Sequence, residues 1–552
     1  MVTDHLGELV RTALEAARAD GVVAADVAAT IHFEHPRRRE HGDWSTNVAL
    51  VAARDGDNPR GIAEALMTRL PGSPLVERVE VAGPGFLNFY LSSRWLHEVV
   101  VRASDPEGGF GLSSEGGGAA VDLEFVSANP TGPVNVVSGR HAAVGDAIGN
   151  LLEATGHRVT REFYLNDTGT QTIKFAESIV ARYLQQFGLD AEVPEDGYQG
   201  DYVTELGRVL AAEHGEALVN APGEERIAVA RDFGLARMVG EISASLERFG
   251  TRFDVWSSER SLHASGRVDA AVKELVRRGL TEERDGALWF RSTLYGDDKD
   301  RVLLRSTGAP TYLASDAAYM SDKIERGFDR LVYLLGSDHH GTIPRFIALA
   351  QALGLEKDRI EIRIVQIVTL SRGGESLKAS KRAGVLIALD ELVEEVGADA
   401  ARYTFLTRSM DAPLDFDIEL AKEQAPENPV FYVQYAHARI CSILRRAQEQ
   451  GISLVVDSAS IALLVHPSEQ ELMRTLSTYE EVVPDAARTR APQRLARFVE
   501  ELAAAFSGFY RDCKVITDDA DLTRARLTLC VATRRVLASG LGLLGVNAPE
   551  RM

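Results

Sequence analysis

Cysteine is scarce in this 552-residue chain: Cys441, Cys513 and Cys530 are the whole complement, none in a Cys-x-x-Cys spacing. That excludes a thiolate zinc site and a disulfide framework, and points to a reducing compartment. Long apolar runs are missing too. No stretch approaches the ~18 to 20 residues of a membrane span. The opening Met1-Val-Thr-Asp-His-Leu-Gly-Glu lacks the basic segment followed by an apolar one that marks a secretory signal. The expected location is therefore cytoplasmic. There is no internal repeat and no low-complexity segment. Positive charge is in deficit, with 61 Lys+Arg against 81 Asp+Glu and a net charge of −20, which taken whole argues against a nucleic-acid partner. What is present is ordinary: 45% hydrophobic and 26% charged residues exclude wholesale disorder. The length fits roughly three or four domains.

The deficit is uneven. Residues 430–552 carry 15 basic and 14 acidic side chains, so the first 429 residues hold −21. The carboxyl-terminal arginines recur along helical segments, among them Arg439, Arg445, Arg446, Arg488, Arg490, Arg494, Arg497, Arg511, Arg524, Arg526, Arg534 and Arg535. Two readings stay open: solvated helix faces paired with acids, or a phosphate-binding surface, since guanidinium grips phosphate oxygens bidentately.

Periodicity divides the chain. Residues 1 to about 108 read as a small α+β unit, with helical spacing over Leu6–Ala17 and Arg60–Leu70 and alternating strands at 79–82 and 86–91 around Gly83-Pro-Gly. Glycine clusters at 108–109 and 116–118 bracket a linker. A strand over 120–127, a Gly/Pro loop and a helix over about 140–155 follow, then mostly helix from about 170 to 260. Strand-like segments at 287–290, 301–304, 331–336 and 362–368 alternate with helices, which predicts a parallel sheet with ligands at the strands' carboxyl ends. From about 429 onward the pattern is helical and predicts a bundle.

Several constellations carry chemistry. The loop Ser127-Ala-Asn-Pro-Thr-Gly-Pro-Val-Asn enters a helix through Ser138-Gly-Arg, and free amides at a helix start suit an anion. Glu124 lies in the preceding strand and Asn129 just beyond it. Tyr312 and Asp316, spaced i, i+4, share one helix face. Glu124 and Asp316 converging on one pocket would suit a cationic substrate; surface acids on separate elements are the alternative. Lys378 and Lys381, with Ser380 between them, sit in a glycine-flanked loop before a helix and could surround a polyphosphate; an exposed basic loop is the alternative. His339-His340 follows the strand end at Gly336-Ser-Asp, with no third metal ligand nearby.

Taken in order, these segments resemble the arginyl-tRNA synthetases, a branch of the class I aminoacyl-tRNA synthetases, over nearly the whole chain. The resemblance rests on Gly42-Asp-Trp-Ser-Thr-Asn-Val-Ala, Val81-Ala-Gly-Pro-Gly-Phe-Leu-Asn-Phe, Glu124-Phe-Val-Ser-Ala-Asn-Pro-Thr-Gly-Pro and Arg161-Glu-Phe-Tyr-Leu-Asn-Asp. It continues through Phe253-Asp-Val-Trp, Asp297-Asp-Lys-Asp-Arg-Val-Leu, Gly336-Ser-Asp-His-His-Gly, Lys378-Ala-Ser-Lys-Arg and Asn428-Pro-Val-Phe-Tyr-Val-Gln-Tyr-Ala-His-Ala-Arg to the closing Leu543-Leu-Gly-Val-Asn-Ala-Pro-Glu-Arg-Met.

The resemblance implies an α/β fold: a Rossmann-like parallel-sheet catalytic domain at 118–420 with a helical insertion at about 170–260. It also implies a small α+β amino-terminal domain at 1–108 that contacts the tRNA body and an all-helical anticodon-binding bundle at 428–552. It implies an arginine–tRNA ligase, acting through arginyl-adenylate, whose substrates are arginine, tRNA(Arg) and ATP with Mg2+, with no zinc or organic cofactor, no membrane partner, and a monomer as the acting form. Glu124, Asn129, Tyr312, Asp316 and His339 would hold arginine. Gly132, Gly336 and Asp338 would line the ATP site. Lys378, Ser380 and Lys381 correspond to the second signature loop. Tyr432, Tyr435 and Arg439 would meet tRNA, although packed core aromatics fit the two tyrosines as well.

The first signature departs from the family. Where His-x-Gly-His is usual, this chain has Asn135, Val136, Val137 and Ser138, and neither Asn135 nor Ser138 can carry positive charge. Arg140 or His141 is an expected source of compensation. The same departure leaves other functions open: a non-catalytic, tRNA-binding paralogue, or an enzyme passing activated arginine to a small molecule.

Overall fold

A computed structural model describes residues 2–24, 30–36, 38–377, 387–453 and 459–552. They pack into two compact units. The first comprises 1–110, 439–480 and 504–536, the second 111–438, 481–503 and 537–552.

The second unit is built on a five-stranded parallel sheet: β1 (Ala120–Glu124), β2 (Arg158–Leu165), β3 (Val255–Ser258), β4 (Arg330–Gly336) and β5 (Ile360–Val365). Its spatial order is β5-β4-β1-β2-β3 with every pair parallel. β1 is followed by helix α1 (Val136–Ala154); α2 (Asp201–His214), α3 (Tyr312–Glu325) and α4 (Ile343–Ala352) also bear on the site. Strand order reverses between β1 and β4, so a crevice opens outside their carboxyl ends, where open α/β sheets bind ligands. β4 is apolar on both faces, as a covered parallel strand is: Leu331, Val332, Tyr333 and Leu334 are all nearly inaccessible.

α1 is buried around almost its whole circumference, and glycine makes that possible. A Cβ on Gly145 would stand 2.3 Å from the Phe125 ring, and one on Gly139 would stand 2.6 Å from Leu389. α1 starts at Val136, a turn earlier than its apolar periodicity suggested, because Asn135 caps it: the Asn135 side-chain oxygen accepts from the Ser138 amide at 2.9 Å.

One expectation fails. The segments Ala287–Phe290 and Arg301–Leu304 do not join the parallel sheet; with Thr281–Arg284 they form a separate three-stranded antiparallel sheet. Short alternating runs report exposure, and they carry no information about which strand they will pair with. Between β2 and β3, helices Thr170–Gln185, α2 and Gly223–Arg248 close around their own core of Phe175, Ile179, Tyr183, Val203 and Leu210.

In the first unit, a four-stranded antiparallel sheet of Phe33–Glu34, Trp44–Thr46, Phe86–Leu91 and Val76–Ala82 joins helices Val2–Ala19, Pro59–Met67 and Ser93–Ser104. Leu6, Val10 and Leu14 recur at helical spacing and are buried together with Phe89 and Trp44. The carboxyl-terminal region is helical as its pattern predicts, with Pro429–Glu449, Pro467–Ser477, Tyr479–Thr489, Pro492–Asp512 and Ala520–Leu543.

Candidate active site

The site begins with a bend that sequence reasoning missed. β1 ends at Glu124, and Val126 and Ser127 then adopt left-handed backbone, with φ of 68° and 39°. A β-branched residue there is strained by on the order of 1–3 kcal/mol. Ser127 holds the bend: its hydroxyl donates to Glu124 Oε1 at 3.2 Å and accepts from the Tyr164 amide at 3.1 Å. The bend turns the following residues across the crevice. Asn129 comes to the surface, Thr131 is buried, and Gly132 faces Tyr202 so closely that a Cβ would lie 3.2 Å from its hydroxyl.

Beneath the bend lies a buried ionic network. Lys323 of α3, fully buried, donates to Asp122 Oδ1 at 2.6 Å and Glu124 Oε2 at 2.8 Å, and lies 4.5 and 4.4 Å from the ring centres of Tyr319 and Tyr333. Arg326 donates to Glu162 at 2.7 Å. Burial pushes the Asp122 carboxyl up, against the pull of Lys323, and its hydrogen bond to Glu162 pushes the same way. Burial acts on Glu162 too, yet the Lys323 charge and the hydrogen bond from Asp122 hold it low. The two carboxyls are thus pushed in opposite directions, Asp122 toward its protonated form and Glu162 toward its carboxylate. The two cations Lys323 and Arg326 balance the two charges on Glu124 and Glu162.

Two carboxylates remain above this network. Asp316 sits on α3 one turn beyond Tyr312. Burial pushes it up to about 7; Arg345 opposes that shift, and Glu259 and Glu124 add to it. Arg345 of α4 approaches it only to 4.0 Å. Glu259, buried at the end of β3, was not singled out from the sequence. Burial and the Glu259 charge both push the Tyr164 hydroxyl upward, and Asp316 and Glu124 act in the same direction, so the three carboxyls cluster near that hydroxyl. Tyr312, 67% exposed, stands at the edge of the cluster, with its hydroxyl 3.8 Å from where a Gly169 Cβ would be. Such a cluster of carboxyls, with Arg345 4.0 Å from Asp316 and His263 3.8 Å from Glu259, suits a cationic guest.

The turn Ser337–Thr342 follows β4 directly. Asp338 folds over Gly336, where a Cβ would stand 2.7 Å from its Oδ1, and His339 Nε2 lies 3.7 Å from Asp338 Oδ2. Lys378, Ser380 and Lys381 lie outside the described residues. The flanking chain is fixed, however: the strand Glu375–Leu377 precedes them, and after them the Leu389 amide donates to the Val134 carbonyl at 2.8 Å beside a bridge between Ala388 and Asn135. The first signature is thus joined backbone to backbone to the chain at 388–389.

Neither expected compensator works as such. Arg140 is buried and its guanidinium donates to the carbonyls of Gln366 and Ser409, both at 2.9 Å, and of Ile367 at 3.4 Å. Its charge anchors two loops. His141 is buried, and burial with the Arg140 charge beside it pushes the ring down to about 4, so it is neutral at pH 7.

On helix Pro429–Glu449, Tyr435 is 40% exposed and stacks on Phe431 at 5.8 Å, while Tyr432 is half-buried. Phe431 and Tyr435 line a cavity of about 750 Å³ with Gln434, Asn428, Asn547 and Met552. Arg439 lies 5.0 Å from the Tyr510 ring centre. Many carboxyl-terminal arginines are committed to nearby acids, as in Arg488–Asp485, Arg497–Glu501, Arg511–Asp512 and Arg526–Glu469, which favours the paired-surface reading for those positions. Among the described residues no cluster could hold a metal ion and no helix is long and apolar enough to cross a membrane.

The chain matches known proteins along its length. The family described as "Arginyl tRNA synthetase N terminal domain" matches residues 4–91, "tRNA synthetases class I (R), catalytic domain" residues 115–411, and "DALR anticodon binding domain" residues 433–552. The chain is 46% identical over 552 residues to an arginine–tRNA ligase of Moorella thermoacetica, covering 99% of this chain and 98% of that protein. It is likewise 46% identical over 554 residues to one of Geobacillus kaustophilus, covering 100% and 99%. Its fold superposes on the arginyl-tRNA synthetase of Thermus thermophilus with a TM-score of 0.78 at 23% identity, covering all of both chains.

Proposed function

The chain belongs to the arginyl-tRNA synthetase family, and on that premise we propose that it activates arginine with ATP and transfers it to the terminal ribose of tRNA(Arg). The observation that carries the substrate choice is the acid-lined space at the strand-order reversal, where Asp316 and Glu259 stand above a charge-balanced network. The substrate guanidinium supplies the missing positive charge. Asp316, Glu259 and Tyr312 receive it. Asn129 and His339 flank the amino-acid backbone, and Glu124, fixed by Lys323, completes the pocket wall.

ATP enters as its magnesium complex and lies along the loop 129–135 and the turn after β4, with Gly132 and Gly336 giving room for close approach and Asp338 near the ribose. The arginine carboxylate attacks the α-phosphorus, a carboxylate–phosphorus bond forms, and the bond to pyrophosphate breaks. A ribose hydroxyl of tRNA then attacks the adenylate carbonyl, AMP leaves, and the hydroxyl proton departs to solvent. No protein nucleophile is needed; positioning and charge do the work. Losing a charged donor costs roughly 3–4 kcal/mol at such sites. With Asn135 spent on its cap, Lys378, Ser380 and Lys381 take over neutralising the departing pyrophosphate, and Ser138 supplies a hydroxyl. Tyr432, Tyr435 and Arg439 are proposed to meet the tRNA, the cavity beside Tyr435 accepting a base by stacking. The proposed domains are 1–108 on the tRNA body, 118–420 for catalysis and 428–552 on the anticodon. All these groups come from one chain, so the monomer is the acting form.

The altered first signature favours testing one other reading, a paralogue that binds without activating. Arginine-dependent ATP–pyrophosphate exchange, with and without tRNA, followed by charging of labelled arginine, decides between them. Exchange and charging are expected. Exchange without charging would point to a small-molecule acceptor, and no exchange in either condition would refute the ligase.

A further inference from the structure

The loop between β1 and α1 has little of its own to hold it. Asn129-Pro-Thr-Gly-Pro contains two residues without an amide donor and one glycine. Its internal hydrogen bond runs from the Thr131 amide to the Asn129 carbonyl at 2.8 Å. Among the described residues, one side chain donates into 129–134: the Tyr202 hydroxyl, which gives its proton to the Thr131 carbonyl at 2.8 Å. That hydroxyl also lies against Gly132.

Tyr202 is itself firmly placed. It stands in the first turn of α2, its ring stacked on Phe175 at 6.4 Å and 27°. Phe175 belongs to the separate core that the helices between β2 and β3 form around themselves. On its other side the ring covers Gly200 so closely that a Cβ there would stand 2.7 Å from it. The hydroxyl therefore joins a helical body with its own core to a stretch of the crevice that lacks secondary structure.

We propose that Tyr202 is a positioning residue for the nucleotide-binding loop: without touching ATP, it fixes the backbone at Thr131 and Gly132 and so sets ATP affinity. This rests on the reading above that residues 129–135 line the ATP site. The anchor matters more in this chain than in one with both signature histidines, because the loop's binding must come from well-placed backbone and neutral side chains.

Tyr202→Phe deletes the hydroxyl alone and keeps the ring in its packing. One neutral hydrogen bond is worth about fivefold in affinity. Calorimetric titration of the full-length chain with ATP and separately with arginine is expected to show ATP binding weakened about fivefold, arginine binding changed less than twofold, and an unchanged thermal midpoint. Gly200→Ala, which keeps an allowed backbone at φ of −64° but pushes the ring aside, should reproduce the ATP effect. Combined with Tyr202→Phe it should add nothing. Equal ATP affinity in wild type and Tyr202→Phe overturns the proposal, as does a parallel loss of ATP and arginine affinity with a lowered midpoint. Wild type that binds no ATP overturns it too. Pyrophosphate exchange by wild type reports on the ligase reading separately, since binding is measured without turnover.

Discussion

Replacing Asp316 by Asn should make the free protein more stable and its arginine binding much worse. Burial holds the Asp316 carboxyl at about 7, against an ordinary value near 3.9. The folded chain thus binds this proton more tightly than the unfolded chain. Its contribution to stability is complete below about pH 4 and is lost as pH rises through 7. Each pH unit between the two values is worth about 1.4 kcal/mol, so ionising Asp316 at pH 8 costs the folded state at most about 4 kcal/mol. The side chain is 23% exposed, and water reaching it reduces this to about 2 kcal/mol. Asn carries no such cost. At pH 8 the variant should be more stable than wild type by about 2 kcal/mol in denaturant unfolding without ligand, and by pH 4 the gap should close.

Arginine binding runs the other way, because the guanidinium needs the ionised carboxylate. Wild-type KM for arginine in pyrophosphate exchange should fall about tenfold from pH 6 to pH 8 as Asp316 ionises. Asp316→Asn should raise it roughly a hundredfold, flatten its pH dependence, and leave the KM for ATP within about threefold. A variant less stable than wild type at pH 8 would refute the burial argument. A flat wild-type pH profile would refute the assignment of Asp316 to the guanidinium.

Lys323→Met leaves Glu124 without its cation and Asp122 without its hydrogen-bond donor, and should cost about 3–5 kcal/mol in urea unfolding; a variant as stable as wild type would show that the buried network is not ionic. Gly145→Ala drives a methyl into the Phe125 ring, 2.3 Å away, and should cost about 1–3 kcal/mol. Gly240→Ala, in the middle of an exposed helix face with nothing within 4 Å, should instead stabilise by about 0.5–1 kcal/mol, and the opposite signs of these two glycine changes are the test.

The legible parts of this chain are those where one face or both faces of an element are apolar over several turns. The β4 run Leu331–Leu334 and the α1 glycines and alanines, nearly all buried, announce a covered parallel sheet. Illegible parts are those where a local pattern has two meanings. Val126 reads as strand, yet it stands at φ of 68°, because the bend after β1 is stabilised by Ser127 hydrogen bonds that no pattern encodes. Glu259 follows Ser258, whose hydroxyl oxygen accepts from the Ser261 amide at 3.1 Å, so it reads as an acid in a helix's first turn. Its place at the end of a parallel strand was the available signal. Arg140 looked like a spare charge near the phosphates and proved to be tied to three carbonyls.

The acidic pocket did leave a trace, one that net charge hides. Asp122 and Glu124 are two apart on a strand whose other inward residues, Val121 and Leu123, are fully buried, so both acids must be inside on the same face. Asp316 and Lys323 are seven apart on α3, again on one face, among the buried Leu313, Ala317 and Met320. Charges at strand or helix period within apolar elements cannot be solvated, and a fold keeps them only if they neutralise one another or a ligand. Here Lys323 lies against Asp122 and Glu124, and Arg326 against Glu162. Asp316 and Glu259 remain, with a resident cation no closer to Asp316 than the 4.0 Å of Arg345. A chain at −20 says nothing of this, because surface acids dominate the sum. The informative acids are the few that periodicity forces inward, and the proposed place of Asp316 against the substrate's charge rests on such an acid, with Arg345 4.0 Å away.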